Sequence, residues 1–195
     1  MDVVPLQAVG RRIKTRQIRM RYDLFEHRHR FAVWAAARAA QRGLTDVATL
    51  QRALEACGVQ EFVRSRRNLR SSAQAFERHH RRWCSRIVTF LRRRGIAGAT
   101  YGRAAKLVAI YLKSMVVLGP DSDSPLGRVI HPPIDRRLLT NLLSMAPKHE
   151  HLRRWRQTAW TKLDAEHYYA LIADLRKAIP AGQPFWTLEQ HWTSA

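Results

Sequence analysis

The chain has 195 residues, with 35 Lys and Arg against 15 Asp and Glu, for a formal charge of +20. Such an excess points to nucleic acid or an anionic surface as partner, and the length is enough to bury a real core in one domain. The absence of any run of about 18 apolar residues argues against a membrane span, and only two cysteines, neither in a CxxC pair, exclude a cysteine-held zinc ribbon or iron–sulfur cluster and fit a reducing compartment.

Residues 1–22, MDVVPLQAVGRRIKTRQIRMRY, are basic but lack the apolar stretch of a secretory signal, so they read as a basic arm that is ordered or touches DNA. Residues 23–195 read as one all-helical domain. Asp23 to Arg42 predicts the first helix, with Phe25, His29, Ala32, Val33, Ala36 and Ala40 at three- and four-residue steps and Gly43 as its stop. Thr45 or Asp46 caps a second helix that runs to Cys57 and ends at Gly58. From Arg64 to Arg94 the chain is strongly basic, and a helix from about Ser72 carries Phe76, His80, Trp83, Ile87, Phe90 and Leu91 on one face with arginine on the other.

Gly95 leads into a turn and then a helix that is apolar on nearly every side from Ala104 to Leu118, which predicts burial. Only six of the basic residues are lysine, yet Lys106 and Lys113 both lie on this helix. With Gly102 as the turn, Lys106 falls in the first helical turn. There, burial and the positive end of the helix dipole would both depress its pKa, and a partly neutral amine is a nucleophile. The plainer reading is a lysine that snorkels to the surface. A loop of Asp, Ser, Pro and Gly follows, and the chain re-enters through Pro132-Pro133-Ile134-Asp135 to begin a helix over Arg136–Met145. Asp135 is on its plainest reading an N-cap. After a break at Pro147 comes a basic helix around His151 to Trp160. Asp164 then caps a helix through Ala178, and the tail ends with Phe185, Trp186 and Trp192 close together.

The string GRAAKLVAIYLK, followed 29 residues after its lysine by the aspartate of PPID and a helix, resembles the lysine-to-aspartate segment of helix-hairpin-helix DNA glycosylases, above all the archaeal type of the 8-oxoguanine branch. The resemblance covers about 40 residues: Gly102 stands four positions before Lys106, and a Pro-aliphatic pair precedes Asp135. The familiar Leu-Pro-Gly hairpin is absent, and Ala104 stands where a second glycine is usual. The resemblance implies two helical lobes around a cleft, with Lys106 attacking C1′ of an extruded nucleotide and Asp135 stabilising charge at the sugar. It implies DNA contact by Arg92, Arg93, Arg94, Arg103 and Arg136 and by the hairpin amides of Gly98 and Gly102. Trp34, His29, Phe185 and Trp186 are the candidates for a base pocket. The implied partner is double-stranded DNA with an oxidised purine or a hypermodified phage pyrimidine, met in the cytoplasm by a monomer without a cofactor or metal.

The alternative is a basic helical DNA-binding protein without chemistry, in which Asp135 only caps and Lys106 only touches phosphate. Arg21 with His27 fits the spacing of a helical ribonuclease site, but so arginine-rich a chain produces such matches by chance. His79, His80 and Cys84 lack a fourth ligand at metal spacing, and His149 with His151 fails in the same way. The sequence holds no Walker loop, nucleophile elbow or dinucleotide fingerprint.

Overall fold

The computed structural model describes residues 22–145 and 150–192, so the basic arm, apart from Tyr22, and the Pro147 break lie outside the described residues. The domain is all-α, with no strand among the described residues. Its α-helices are α1 (Leu24–Ala40), α2 (Val47–Glu55), α3 (Val59–Arg64), α4 (Ala73–Arg92), α5 (Tyr101–Leu112), α6 (Pro125–Val129), α7 (Arg136–Met145) and α8 (Ala165–Lys177). Short 3-10 segments cover Arg66–Arg70, Glu150–Trp155, Trp160–Lys162 and Phe185–His191. No helix among the described residues is long and apolar enough to cross a membrane.

Polar side chains start the helices: Asp23, Asp46, Ser72 and Asp164 where the sequence predicts, and Thr100 two residues before the expected turn at Gly102, each accepting a backbone N–H at the third position of the helix it opens. The caps satisfy donors that would otherwise be stranded as each helix leaves water.

Burial radiates from α5. Ten of its residues are buried, and it packs against the alanine face of α1 (Ala32, Ala36, Ala37, Ala40) on one side and against α4 on another. The small α1 side chains allow close approach, while α4 contributes Phe76, Trp83, Ile87 and Leu91. Between α4 and α5 the turn is a Schellman closure. Gly95 takes φ +76, its N–H donates to Arg92 O, and the Ile96 N–H donates to Leu91 O. The buried side chains form one cluster from α1 to the C-terminal 3-10 segment.

Four elements depart from the sequence reading. Gly58 (φ +92) follows α2 and leads directly into α3, a short helix the sequence reading left unassigned. The helix expected to reach Leu118 changes to a π turn over Lys113–Val117, and Leu118 is exposed. Ser124 caps and Pro125 opens α6 inside the segment read as loop. The helix expected from His151 to Trp160 is instead two 3-10 segments. The Trp155 indole N–H donates to buried Asp174, and Trp160 turns inward toward α5, so the intervening chain cannot keep helical phase.

Candidate active site

Helix α5 begins with a docking contact. The Thr100 hydroxyl donates to Thr161 O at 2.7 Å while accepting from the Arg103 N–H, and the Gly102 N–H donates to Leu163 O at 2.9 Å. A Cβ at Gly102 would lie 2.0 Å from Trp160 O, so only glycine admits the 160–163 backbone this close. Gly102 is therefore not a turn glycine with a free amide but the second residue of α5, clamped to another segment. Its N–H is unavailable to a phosphate, which corrects that expectation.

The clamp sets Trp160 beside Lys106, whose Nζ lies 4.5 Å from the indole ring centroid. Lys106 is the sixth residue of α5, one turn deeper than expected, where the helix dipole has largely faded. Its side chain is 7 % exposed and its Nζ donates to Asp135 Oδ2 at 3.2 Å. Burial is the largest influence on the amine and pushes its pKa down; Asp135 pulls it back, and the nearby Arg42 charge pushes it down further, for a net depression.

Asp135 divides its two oxygens. Oδ1 accepts the Leu138 N–H at 2.9 Å and so caps α7, while Oδ2 accepts from Lys106 and from the Trp192 indole N–H at 3.1 Å. Burial alone would raise this carboxyl, but the Leu138 amide, the Lys106 charge and the Trp192 indole together outweigh it and hold the pKa below the usual range. The cap and the amine partner are thus one side chain in both roles. The structure brings together the two residues that the sequence singled out 29 positions apart.

A second pair lies two turns on, at the start of the π turn that continues α5, where Lys113 Nζ donates to Glu189 Oε2. It fastens the C-terminal 3-10 segment to the end of α5, and the Asn141 side-chain amide fastens it again by donating to His191 O at 3.0 Å. These ties carry Trp192 to Asp135.

An open pocket of about 510 Å³ adjoins the pair and is lined by Arg42, Arg136, Arg156, Thr158, Trp160 and Thr161 among others. Arg42 holds φ +35 and is followed by Gly43 at φ +67, in a turn closed by the Leu44 N–H donating to Gln41 O at 2.7 Å. The left-handed conformation costs a residue with a Cβ roughly 1–2 kcal/mol.

The other candidates are distributed as follows. Arg103 is half-buried and donates from its guanidinium to Gln41 O and Arg42 O. Arg92, Arg93 and Arg94 are exposed at the end of α4, with Arg92 donating to Ala99 O and Arg94 lying 3.6 Å from the Phe90 ring centroid. Gly98 is exposed in the turn, and Arg136 is exposed in the pocket. The four base-pocket candidates make no hydrogen bond or ring contact with Lys106 or Asp135. His29 is buried between α1 and α5 with its Nδ1 3.0 Å from the Tyr111 hydroxyl, and Phe185 is buried edge-on to His131. Trp34 is exposed beside Phe31, and Trp186 is half-buried.

The aromatic residues at the pair are instead Trp160 and Trp192. Trp192 belonged to a recognisable aromatic tail, whereas nothing in the local pattern marks Trp160. Among the described residues no group of three His, Cys, Asp or Glu side chains could hold a metal ion.

The chain matches no family model, no curated protein and no solved structure. The functional reading therefore rests on the geometry of the pair and on the charge around it.

Proposed function

We propose that the chain is a DNA glycosylase that draws a modified nucleotide out of the duplex and releases its base, with Lys106 as nucleophile and Asp135 as the carboxylate at the sugar. One observation carries the reading: a 7 %-exposed lysine with a depressed pKa lies 3.2 Å from a carboxylate whose pKa is also depressed. A desolvated amine with a specific carboxylate partner, next to an open pocket lined by three arginines, is the pattern expected of a functional site.

In the proposed reaction, positive charge develops at C1′ as the bond to the base lengthens, and the ionised Asp135 stabilises it. The neutral Lys106 amine forms a bond to C1′, the base leaves with the bonding pair and takes up a proton, and the lysine nitrogen loses one. Ring opening then gives a Schiff base at C1′. Loss of a proton from C2′ expels the 3′ phosphate and cuts the strand by β-elimination. The substrate class is an oxidised purine or a hypermodified pyrimidine, in a repair or antiviral setting.

DNA affinity comes from arginine. The outer face of α4 presents Arg82, Arg86, Arg93 and Arg94 around a depression of about 470 Å³ whose lining is otherwise neutral and holds no carboxylate. Arginine suits phosphate because its planar fork donates to two oxygens at once.

The test is borohydride trapping of the chain on a panel of duplexes, each with one defined modified base, alongside Lys106→Gln. A covalent adduct on one duplex that disappears in the variant supports the reading. Base release that survives in Lys106→Gln removes the nucleophile role. Tight duplex binding without any abasic product on the whole panel favours the rival, a basic helical module for which the cap made by Oδ1 is the sole purpose of Asp135.

A further inference from the structure

We infer that the pocket lined by Arg42, Arg136 and Arg156 binds the backbone phosphodiester next to the nucleotide that reacts at Lys106. The inference rests on the proposed reading for the word "reacts", but the pocket's chemistry stands on its own observations.

The pocket is built from three separate stretches of chain that meet only in the fold: the turn after α1, the first residue of α7, and the 156–161 segment clamped by Thr100 and Gly102. Each contributes an arginine, and no carboxylate lines the pocket. All three arginines are exposed, and none forms an ion pair with a carboxylate among the described residues. Three guanidinium groups drawn together without a counter-charge repel one another, a cost that an anion removes. Thr158 and Thr161 add polar lining around them.

Arg42 supplies the second, independent observation. It is the one non-glycine with positive φ among the described residues, and it sits where asparagine or glycine is the usual choice. The half-buried Arg103 guanidinium donates to both Gln41 O and Arg42 O and holds the turn in place. Strain kept in place by surrounding structure is a mark of a functional position. Here it sets a guanidinium on the wall of a pocket whose charge Lys106 feels.

The ligand follows from position. Trp160 lines the pocket and also contacts Lys106, and Arg136 is the residue after Asp135. An anion in this pocket is therefore a near neighbour of the sugar carbon that Lys106 would attack, which is where a nucleic-acid backbone places a phosphodiester.

The experiment measures binding of the full chain to a duplex with a stable abasic analogue, by fluorescence anisotropy, with each phosphate flanking the analogue replaced in turn by an uncharged methylphosphonate. Arg42→Asn is the principal variant, because asparagine tolerates the left-handed turn and its melting temperature should equal or exceed that of the parent. Arg156→Gln is the second. One flanking methylphosphonate should weaken binding by the parent about tenfold, yet weaken Arg42→Asn and Arg156→Gln far less, and each variant should lower the salt slope by about one. An equal loss in parent and variants at every flanking phosphate would overturn the inference. So would coupling seen only with a 5′-terminal phosphate on a nicked duplex, which would make the pocket a site for the cleaved end. The proposed chemistry fails separately: coupling at a flanking phosphodiester, with neither base release nor a borohydride adduct on the panel of modified duplexes, leaves a DNA-backbone site and removes the glycosylase.

Discussion

Helix α5 and the π turn that follows it carry two lysine–carboxylate pairs on one side, and they are tuned in opposite directions. Lys106 is 7 % exposed and Lys113 is 31 % exposed. Asp135 receives hydrogen bonds from an amide, an indole and an ammonium, which outweigh its burial and hold its pKa below the usual range. For Glu189, burial outweighs the hydrogen bond and charge of Lys113, and the nearby Asp135 adds to the rise, so its pKa lies above the usual range. The number of donors around a carboxylate, rather than the mere presence of a lysine, decides whether it stays ionised in a dry setting. On the proposed reading the first pair meets charge at a reacting centre, while the second fastens the tail that brings Trp192 to the first.

That contrast can be broken first at the lysines. Lys106→Gln should abolish the borohydride adduct, whereas Lys113→Gln should retain it; loss in both would make the pairs equivalent. At the acids, Asp135→Asn should slow base release by about 10²–10⁴-fold in single-turnover assays. Thermal melting at neutral pH should show a moderate loss, because the fold holds the ionised carboxylate below its usual range, while the start of α7 persists because asparagine also caps it. Glu189→Gln should leave the chemical step alone.

Gly102→Ala tests how the first pair is positioned. Its Cβ would overlap Trp160 O, so denaturant unfolding should show a loss of about 3 kcal/mol. The adduct should weaken as Trp160 is displaced from Lys106.

A pH series separates the site from the core. Burial depresses the Lys106 amine, so trapping should rise with pH and level off below lysine's ordinary 10.5. Stability should respond on the acid side instead. His80 is fully buried among Tyr101, Tyr168 and Tyr169, and burial pushes its pKa down to about 3. The unfolded chain protonates the same ring near 6.5 while the folded one leaves it neutral. Stability from this group is thus complete above that value and drains as pH falls toward 3, by up to about 1.4 kcal/mol per unit. Urea unfolding between pH 7 and pH 4 checks it. The smallest effect belongs to the second pair: because burial holds the Glu189 carboxyl above its usual range, Glu189→Gln should change stability by less than about 1 kcal/mol in the same assay.

Much of this architecture is legible in the chain because local chemistry fixes it. Asp23, Asp46, Ser72 and Asp164 announce helices that begin where they stand, and the spacing of Phe76, His80, Trp83, Ile87 and Leu91 gives the inward face of α4. Lys106 is conspicuous as a rare lysine on an apolar helix, and Asp135 as an acid at a helix start. The rest depends on contacts between distant segments. The packing of the C-terminal segment on α7 and α5 brings Trp192 to Asp135, and the backbone contact at Gly102 brings Trp160 to Lys106. His29 and Phe185 pointed the wrong way for a related reason. An aromatic at helical spacing serves a core as readily as a pocket, and here the Tyr111 hydroxyl and the His131 ring claimed them.

The divided carboxylate has a consequence for how this protein can change over time. Selection for folding alone would keep a short acceptor at position 135, because α7 must start there, and asparagine, serine or threonine would serve. Each would silence the amine's partner without unravelling the helix. If Asp135 acts at the sugar as proposed, lineages released from that chemistry should drift through those residues while remaining folded, and a neutral side chain at this position would mark a descendant that has kept the helix and lost the reaction.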